Sequence, residues 1–150
     1  MKKKLFIYYS LTGNGDAVAD YLKNKDFEIR KVEKKRKLPK SFFWMVMTGG
    51  FLAGLGVKSK LKDYDKNVEG FEEIVIGSPI WNGRFATPVN TLLNELALNG
   101  KLIKFIFYSG SGEGAKAAKR IRKFYPGMES IFLKEPKKYP DELNKIDSIL

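Results

Sequence analysis

The first residues able to do chemistry lie between Leu5 and Asp16. An apolar run, Leu5-Phe6-Ile7-Tyr8-Tyr9, stops at Ser10-Leu11-Thr12-Gly13-Asn14-Gly15, a stretch with two hydroxyls and two glycines. Ala17, Val18, Tyr21 and Leu22 then recur at helical spacing. Strand, tight loop and helix start follow one another without a gap. That order leaves free backbone N–H groups at the end of a buried strand, and a helix N-terminus attracts anions through those groups and its dipole. This loop reads as the holder of a phosphate.

Two later stretches share the design. Gly77-Ser78-Pro79-Ile80-Trp81-Asn82-Gly83-Arg84 follows the apolar run 72–78, with Pro79 as its stop, and Ser109-Gly110-Ser111-Gly112-Glu113-Gly114 follows the apolar run Leu102 to Tyr108. In a doubly wound sheet ligands bind beyond the carboxyl ends of the strands, so loops 10–15, 77–84 and 109–114 are expected on one edge. Trp81, between a proline and a glycine and outside the apolar periodicity, is expected as an exposed indole that stacks on a planar ligand. Asn82-Gly83 suits positive φ, so a peptide there can reorient cheaply. Tyr108 reads equally well as a second aromatic wall or as the last core residue of its strand.

The elements that must position these loops alternate five times. Strands are predicted at 3–9, 26–32, 72–78, 102–108 and near 129–133. The strand at 26–32 alternates, with Phe27, Ile29 and Val32 inward and Glu28 and Arg30 outward, which suits a sheet edge. Helices are predicted at 15–23, from Thr87 as N-cap with Pro88 first inside and Val89, Leu92, Leu93 and Leu96 as the stripe, at 114–125 with Ala115, Ala118, Ile121 and Tyr125 inward, and from Pro140 with Leu143, Ile146 and Leu150 inward. Asn99-Gly100 is expected to close the second helix. The window 41–57 is the most apolar in the chain. It reads as a short helix at 40–48 covering the sheet and then a glycine-rich loop, with contact to a membrane surface as the lesser alternative. Such alternation implies an α/β fold, a parallel sheet with helices on both faces, in a single domain over 1–150.

Composition narrows the chemistry. The chain has no cysteine and no histidine, which excludes disulfides, thiolate ligands and the usual neutral-pH general base. No metal site is expected, and no side chain is expected to act as a catalytic acid or base. Lys and Arg outnumber Asp and Glu by 28 to 17, a formal charge of +11. Lys34-Lys35-Arg36-Lys37 and Lys119, Arg120, Arg122 and Lys123 carry much of that excess and read as solvated faces rather than a nucleic-acid interface. The apolar run after Met1-Lys2-Lys3-Lys4 is too short for a secretory leader, so a cytoplasmic location is expected.

The loops resemble the flavodoxin family. Ser10-Leu11-Thr12-Gly13-Asn14 resembles that family's FMN-phosphate loop, whose pattern is Ser/Thr, any residue, Thr, Gly, any residue, Thr. Residues 77–88, from Gly-Ser-Pro through Trp-Asn-Gly to Thr-Pro, resemble its second flavin loop, and 108–114 fall where the third belongs. The likeness covers the whole chain at the length of the short-chain class. It implies a three-layer, doubly wound, five-stranded parallel sheet of order 2-1-3-4-5 and FMN as cofactor. By position it implies that Ser10, Leu11, Thr12, Gly13, Asn14 and Gly15 hold the phosphate, Ser78, Pro79, Ile80, Trp81, Asn82 and Gly83 line the isoalloxazine, and Tyr108, Ser109, Gly110 and Gly112 complete the pocket. Two departures stand out. The last threonine of the pattern is Gly15, followed by Asp16, and the chain is basic where familiar flavodoxins are acidic.

The function this implies is electron transfer between redox partner proteins. The alternative is an FMN-dependent NAD(P)H or quinone reductase on the same fold, and a third reading is a basic surface-binding protein without flavin. A response-regulator receiver, of related topology, would need paired acidic residues after the first strand, where this chain has Tyr8-Tyr9-Ser10.

Overall fold

Leu5, Phe6, Ile7 and Tyr8 are consecutive and all buried, so both faces of their strand must be covered. The computed structural model, which describes residues 3–35 and 59–150, meets that demand with three layers. The window 41–57 lies outside the described residues. In chain order the elements are β1 (Lys3–Tyr8), α1 (Asn14–Lys23), β2 (Phe27–Lys31), β3 (Phe71–Trp81), β4 (Arg84–Phe85), α2 (Thr87–Glu95), β5 (Leu102–Ser109), α3 (Ala115–Ile121), β6 (Glu129–Lys134) and a 3-10 helix over Pro140–Ser148.

The sheet runs β2-β1-β3-β5-β6, all neighbours parallel, which is the expected order 2-1-3-4-5 for the five long strands. The short β4 is an addition, pairing antiparallel to the end of β3. Strand alternation sorts the core into two. Leu5, Ile7, Ile74, Ile76, Phe105 and Phe107 face Val89 and Leu92 of α2 and Ala118 and Ile121 of α3. Phe6, Tyr8, Val75, Ile106 and Tyr108 face Val18 and Leu22 of α1 and Ile146 of the 3-10 helix. Each such side chain contributes roughly 1.5–3 kcal/mol by leaving water.

Several expected boundaries move, each for a local reason. Pro79 does not stop β3. β1 pairs last with Gly77, so the missing N–H of Pro79 falls beyond the end of that neighbour, while β5 still pairs alongside. Thr87 is the first helical residue rather than the N-cap. Its hydroxyl pairs with Ser59 Oγ at 2.6 Å, and the extended Ala86 is the cap residue. α2 ends at Glu95 because Leu96 turns extended, which lets Leu96 and Leu98 both reach the core; Asn99-Gly100 is the turn into β5. α3 ends at Ile121, after which the amides of Lys123 and Phe124 bond to carbonyls three residues back. Its inward residues are Ala117, Ala118 and Ile121, while Ala115 is exposed. In the last segment Ile149, not Leu150, is buried, because three residues per turn line up Leu143, Ile146 and Ile149. Among the described residues no helix is long and apolar enough to cross a membrane.

Candidate functional site

All parallel strands end at one edge, and the loops that follow them meet there. The first, between β1 and α1, is organised by Ser10. Its Oγ accepts the N–H of Gly13 at 3.2 Å and of Gly15 at 3.0 Å. A hydroxyl has two acceptor positions and one proton, so the Ser10 proton remains for an outside acceptor. Gly13 takes φ +92°, a conformation open to glycine at little cost, and precedes the α1 N-terminus. Leu11 packs on the core, Thr12 is exposed, and the Asn14 amide donates to Thr12 Oγ1 at 3.3 Å.

The floor of this loop is aromatic. Tyr108 is fully buried and its hydroxyl donates to the Tyr9 carbonyl. Of the two readings open for Tyr108, the structure selects the core residue. Burial keeps the Tyr108 phenol well above its ordinary value, pushes Tyr9 up to about 12, and with the hydrogen bond to Asp16 raises Tyr8 as well. These phenols are therefore neutral at ordinary pH. Asp16 does not cap α1. It accepts from Tyr8 Oη and Lys31 Nζ, both at 2.7 Å. Burial pushes its carboxyl up, but those two hydrogen bonds outweigh it and hold the group below the ordinary carboxylate range. The Asp16 carboxylate beside the loop is thus paired with a cation.

The second loop is a hairpin tip. Ile80 pairs with Phe85 and Trp81 with Arg84, leaving Asn82 (φ +49°) and Gly83 (φ +71°) as a two-residue turn. Positive φ at both central residues is the turn that matches strand twist, and Asn-Gly is its preferred pair. This hairpin overturns the placement expected for Trp81. The indole is 3% exposed and meets Tyr9 edge-on at 6.1 Å, inside the core instead of at a solvent tip. Ser78 is likewise internal: its Oγ accepts the Ala86 N–H at 3.1 Å and donates to the Pro79 carbonyl at 2.9 Å. Pro79 is half-buried in β3.

Between that hairpin and the third loop lies an open cleft of about 720 Å³. Ile80, Asn82, Gly83, Ser109, Gly110 and Gly112 line it, with Ser111, Glu113, Gly114, Ala115, Lys116 and Phe132. Ser109 Oγ shapes the third loop by accepting the Gly112 N–H at 2.9 Å and donating to the Glu113 carbonyl at 3.1 Å. The cleft is large enough for a planar ring system. Its aromatic wall is Phe132 of β6, stacked on Phe107 at 5.7 Å.

Sequence reasoning missed a fourth loop, 135–139, after β6. Glu135 N–H reaches the Ser109 carbonyl at 3.0 Å, and Lys137 N–H reaches Asn14 Oδ1 at 3.2 Å, so this segment ties the third loop to the first. The Lys137 side chain lies across Gly13. The signal was available: 135–139 follows a strand, and every strand of a parallel sheet ends at this edge. Among the described residues no group of His, Asp or Glu could hold a metal ion.

The sequence profile of the flavodoxin family, described as Flavodoxin, matches residues 55–145. No curated protein matches the chain. Among solved structures, a candidate flavoprotein from Bacteroides eggerthii DSM 20697 superposes with a TM-score of 0.77 at 19% identity, over 96% of this chain and 99% of that one. A flavoprotein from Lactobacillus acidophilus NCFM, determined in complex with FMN, gives 0.69 at 22% identity, over 94% and 98%. A flavodoxin from the domain Archaea gives 0.51 at 16% identity, over 95% and 90%. At these identities the likeness is one of fold.

Proposed function

The chain belongs to the flavodoxin family, and from that premise we propose that it binds FMN and carries electrons between redox partner proteins. One observation supports this most: a hydroxyl- and glycine-built anion loop and a ring-sized cleft share one sheet edge, joined by the segment 135–137. The residues present fit the cofactor. Ser10, Thr12 and Asn14 offer polar side chains around Gly13 and Gly15, the Asp16 carboxylate beside that loop is paired with Lys31, and the neighbouring cleft has an aromatic wall.

When bound, FMN supplies one- and two-electron chemistry. The chain binds, orients and shields it. Ser10 holds two loop amides in place and would donate its hydroxyl proton to the phosphate. Ile80 and Phe132 give the cleft apolar contact, and the Asn82-Gly83 turn edges it with backbone polar groups. The titratable side chains lining the cleft are Glu113 and Lys116. With no histidine or cysteine in the chain, that set favours electron transfer over side-chain acid–base catalysis.

The test is a flavin titration followed by an NADH assay. The purified chain should bind FMN at micromolar concentration and should not consume NADH steadily with a small quinone unless a partner protein is added. Failure to bind FMN would refute the proposal, whereas steady turnover without a partner would establish the reductase reading instead.

A further inference from the structure

We propose that Lys137 is the phosphate-selecting residue of this site: its ammonium, held over the first loop, makes the pocket prefer FMN to riboflavin. The inference rests on the flavin reading above. A Cβ built on Gly13 would lie 3.0 Å from Lys137 Cδ and 3.1 Å from Nζ, so the stem and charge cross directly above the loop.

The lysine is held there by its backbone. Its N–H bonds to Asn14 Oδ1, Pro136 beside it is buried, and Glu135 is anchored to the Ser109 carbonyl. Less chain entropy is then lost when the ammonium meets an anion. Lys134 and Lys138 are turned elsewhere, their ammonium groups lying 5.4 and 5.1 Å from the centre of the Tyr139 ring.

The ammonium is not tied up in an ion pair, although the Asp16 carboxylate feels its charge. Among the described residues no carboxylate lies within ion-pair distance of Lys137, and Asp16 is already engaged by Lys31 and Tyr8. The loop has one hydroxyl donor fewer than the family pattern. Ser10 keeps one proton, and the position where the family pattern carries a threonine is Gly15, whose Cβ space is taken by Tyr108. A charged donor from the fourth loop supplies what that missing hydroxyl would have offered, and a hydrogen bond between two charged groups is the stronger kind.

The test compares the full chain with Lys137→Gln and Lys137→Arg, using FMN, riboflavin and inorganic phosphate as probes. For Lys137→Gln, FMN affinity should fall on the order of tenfold while riboflavin affinity changes by less than about twofold. FMN binding by the variant should lose part of its salt dependence, and Lys137→Arg should restore most of the preference. Inorganic phosphate should raise the Tm of the parent chain more than that of Lys137→Gln. Equal weakening of FMN and riboflavin, or no weakening of either, overturns the proposal. If the parent chain binds neither flavin but phosphate still stabilises it only when Lys137 is present, the flavin reading fails and the anion role of Lys137 stands. If neither flavins nor phosphate bind, the lysine assignment falls as well.

Discussion

A Cβ built on Gly15 would stand 2.5 Å from the Tyr108 hydroxyl, and 2.7 Å and 2.9 Å from Tyr8 Cδ2 and Ser10 Cβ. Real Cβ atoms do not approach neighbours so closely, so the buried phenol of Tyr108 reserves this position for glycine. The departure from the family's phosphate-loop pattern at Gly15 therefore has a packing cause. It follows from a large side chain on β5 that fills the floor beneath α1.

Restoring the pattern by Gly15→Thr should accordingly damage the fold instead of improving the site. The expected cost is about 1–3 kcal/mol, the usual range for forcing atoms into a packed core. Adding Tyr108→Phe should recover part of it, because the nearest atom is then gone while Tyr8 and Ser10 remain. Urea unfolding of the single and double variants checks this; an unchanged midpoint for Gly15→Thr would contradict the packing argument.

Phe132 and Lys137 should separate by ligand. Phe132 lines the cleft and stacks on Phe107, so Phe132→Ala should weaken FMN and riboflavin together, by about two- to tenfold, the worth of an aromatic contact. Fluorescence titration with both flavins gives the comparison. Loss confined to FMN would place the ring elsewhere.

At the opposite edge of the sheet, Lys104 Nζ lies 3.0 Å from Glu73 Oε1 and donates to the Ile149 carbonyl, with both side chains buried. Lys104→Met alone leaves a buried carboxylate whose remaining cation, Lys4, is 4.0 Å away, and should cost about 3–5 kcal/mol. Glu73→Leu combined with Lys104→Met should cost much less than that single change, since no buried charge is stranded. Denaturant melts of the three chains decide it, and FMN affinity should be unchanged because the pair is remote from the cleft.

Asp16 predicts an acid-side effect. Its carboxyl is held below its ordinary value of 3.8 by Lys31 and Tyr8 against the opposing effect of burial. A depressed folded-state value means the unfolded chain takes up the proton first. The contribution is therefore fully present above pH 3.8 and is lost as pH falls through the lower, folded value. Lys31→Met should shrink this pH-dependent component of stability, measured as Tm between neutral and acid pH. An identical profile in the variant would show that the Lys31 contact does not hold the carboxylate.

Much of the fold was legible because its signals are local. Apolar runs at 5–9, 72–78 and 102–108, each ending in hydroxyls and glycines, locate strand ends and loops from neighbours in the chain. Trp81 was not legible. Pro79 reads as a strand stop only if the adjoining strand continues, and here β1 has already ended, so β3 runs on and carries the indole inward. Ser78 was lost for the same reason, since its role depends on where the hairpin returns the Ala86 amide.

The alternation of strands and helices and the gathering of their loops at one edge follow from period and turn chemistry, which are properties of short stretches. Which side chains stand at that edge depends instead on how the strands pack against one another. Phe132, not Trp81, lines the cleft, and the Lys137 amide reaches Asn14 across 123 residues of chain. Such pairings depend on the lengths at which neighbouring strands stop, and no window of sequence contains both partners.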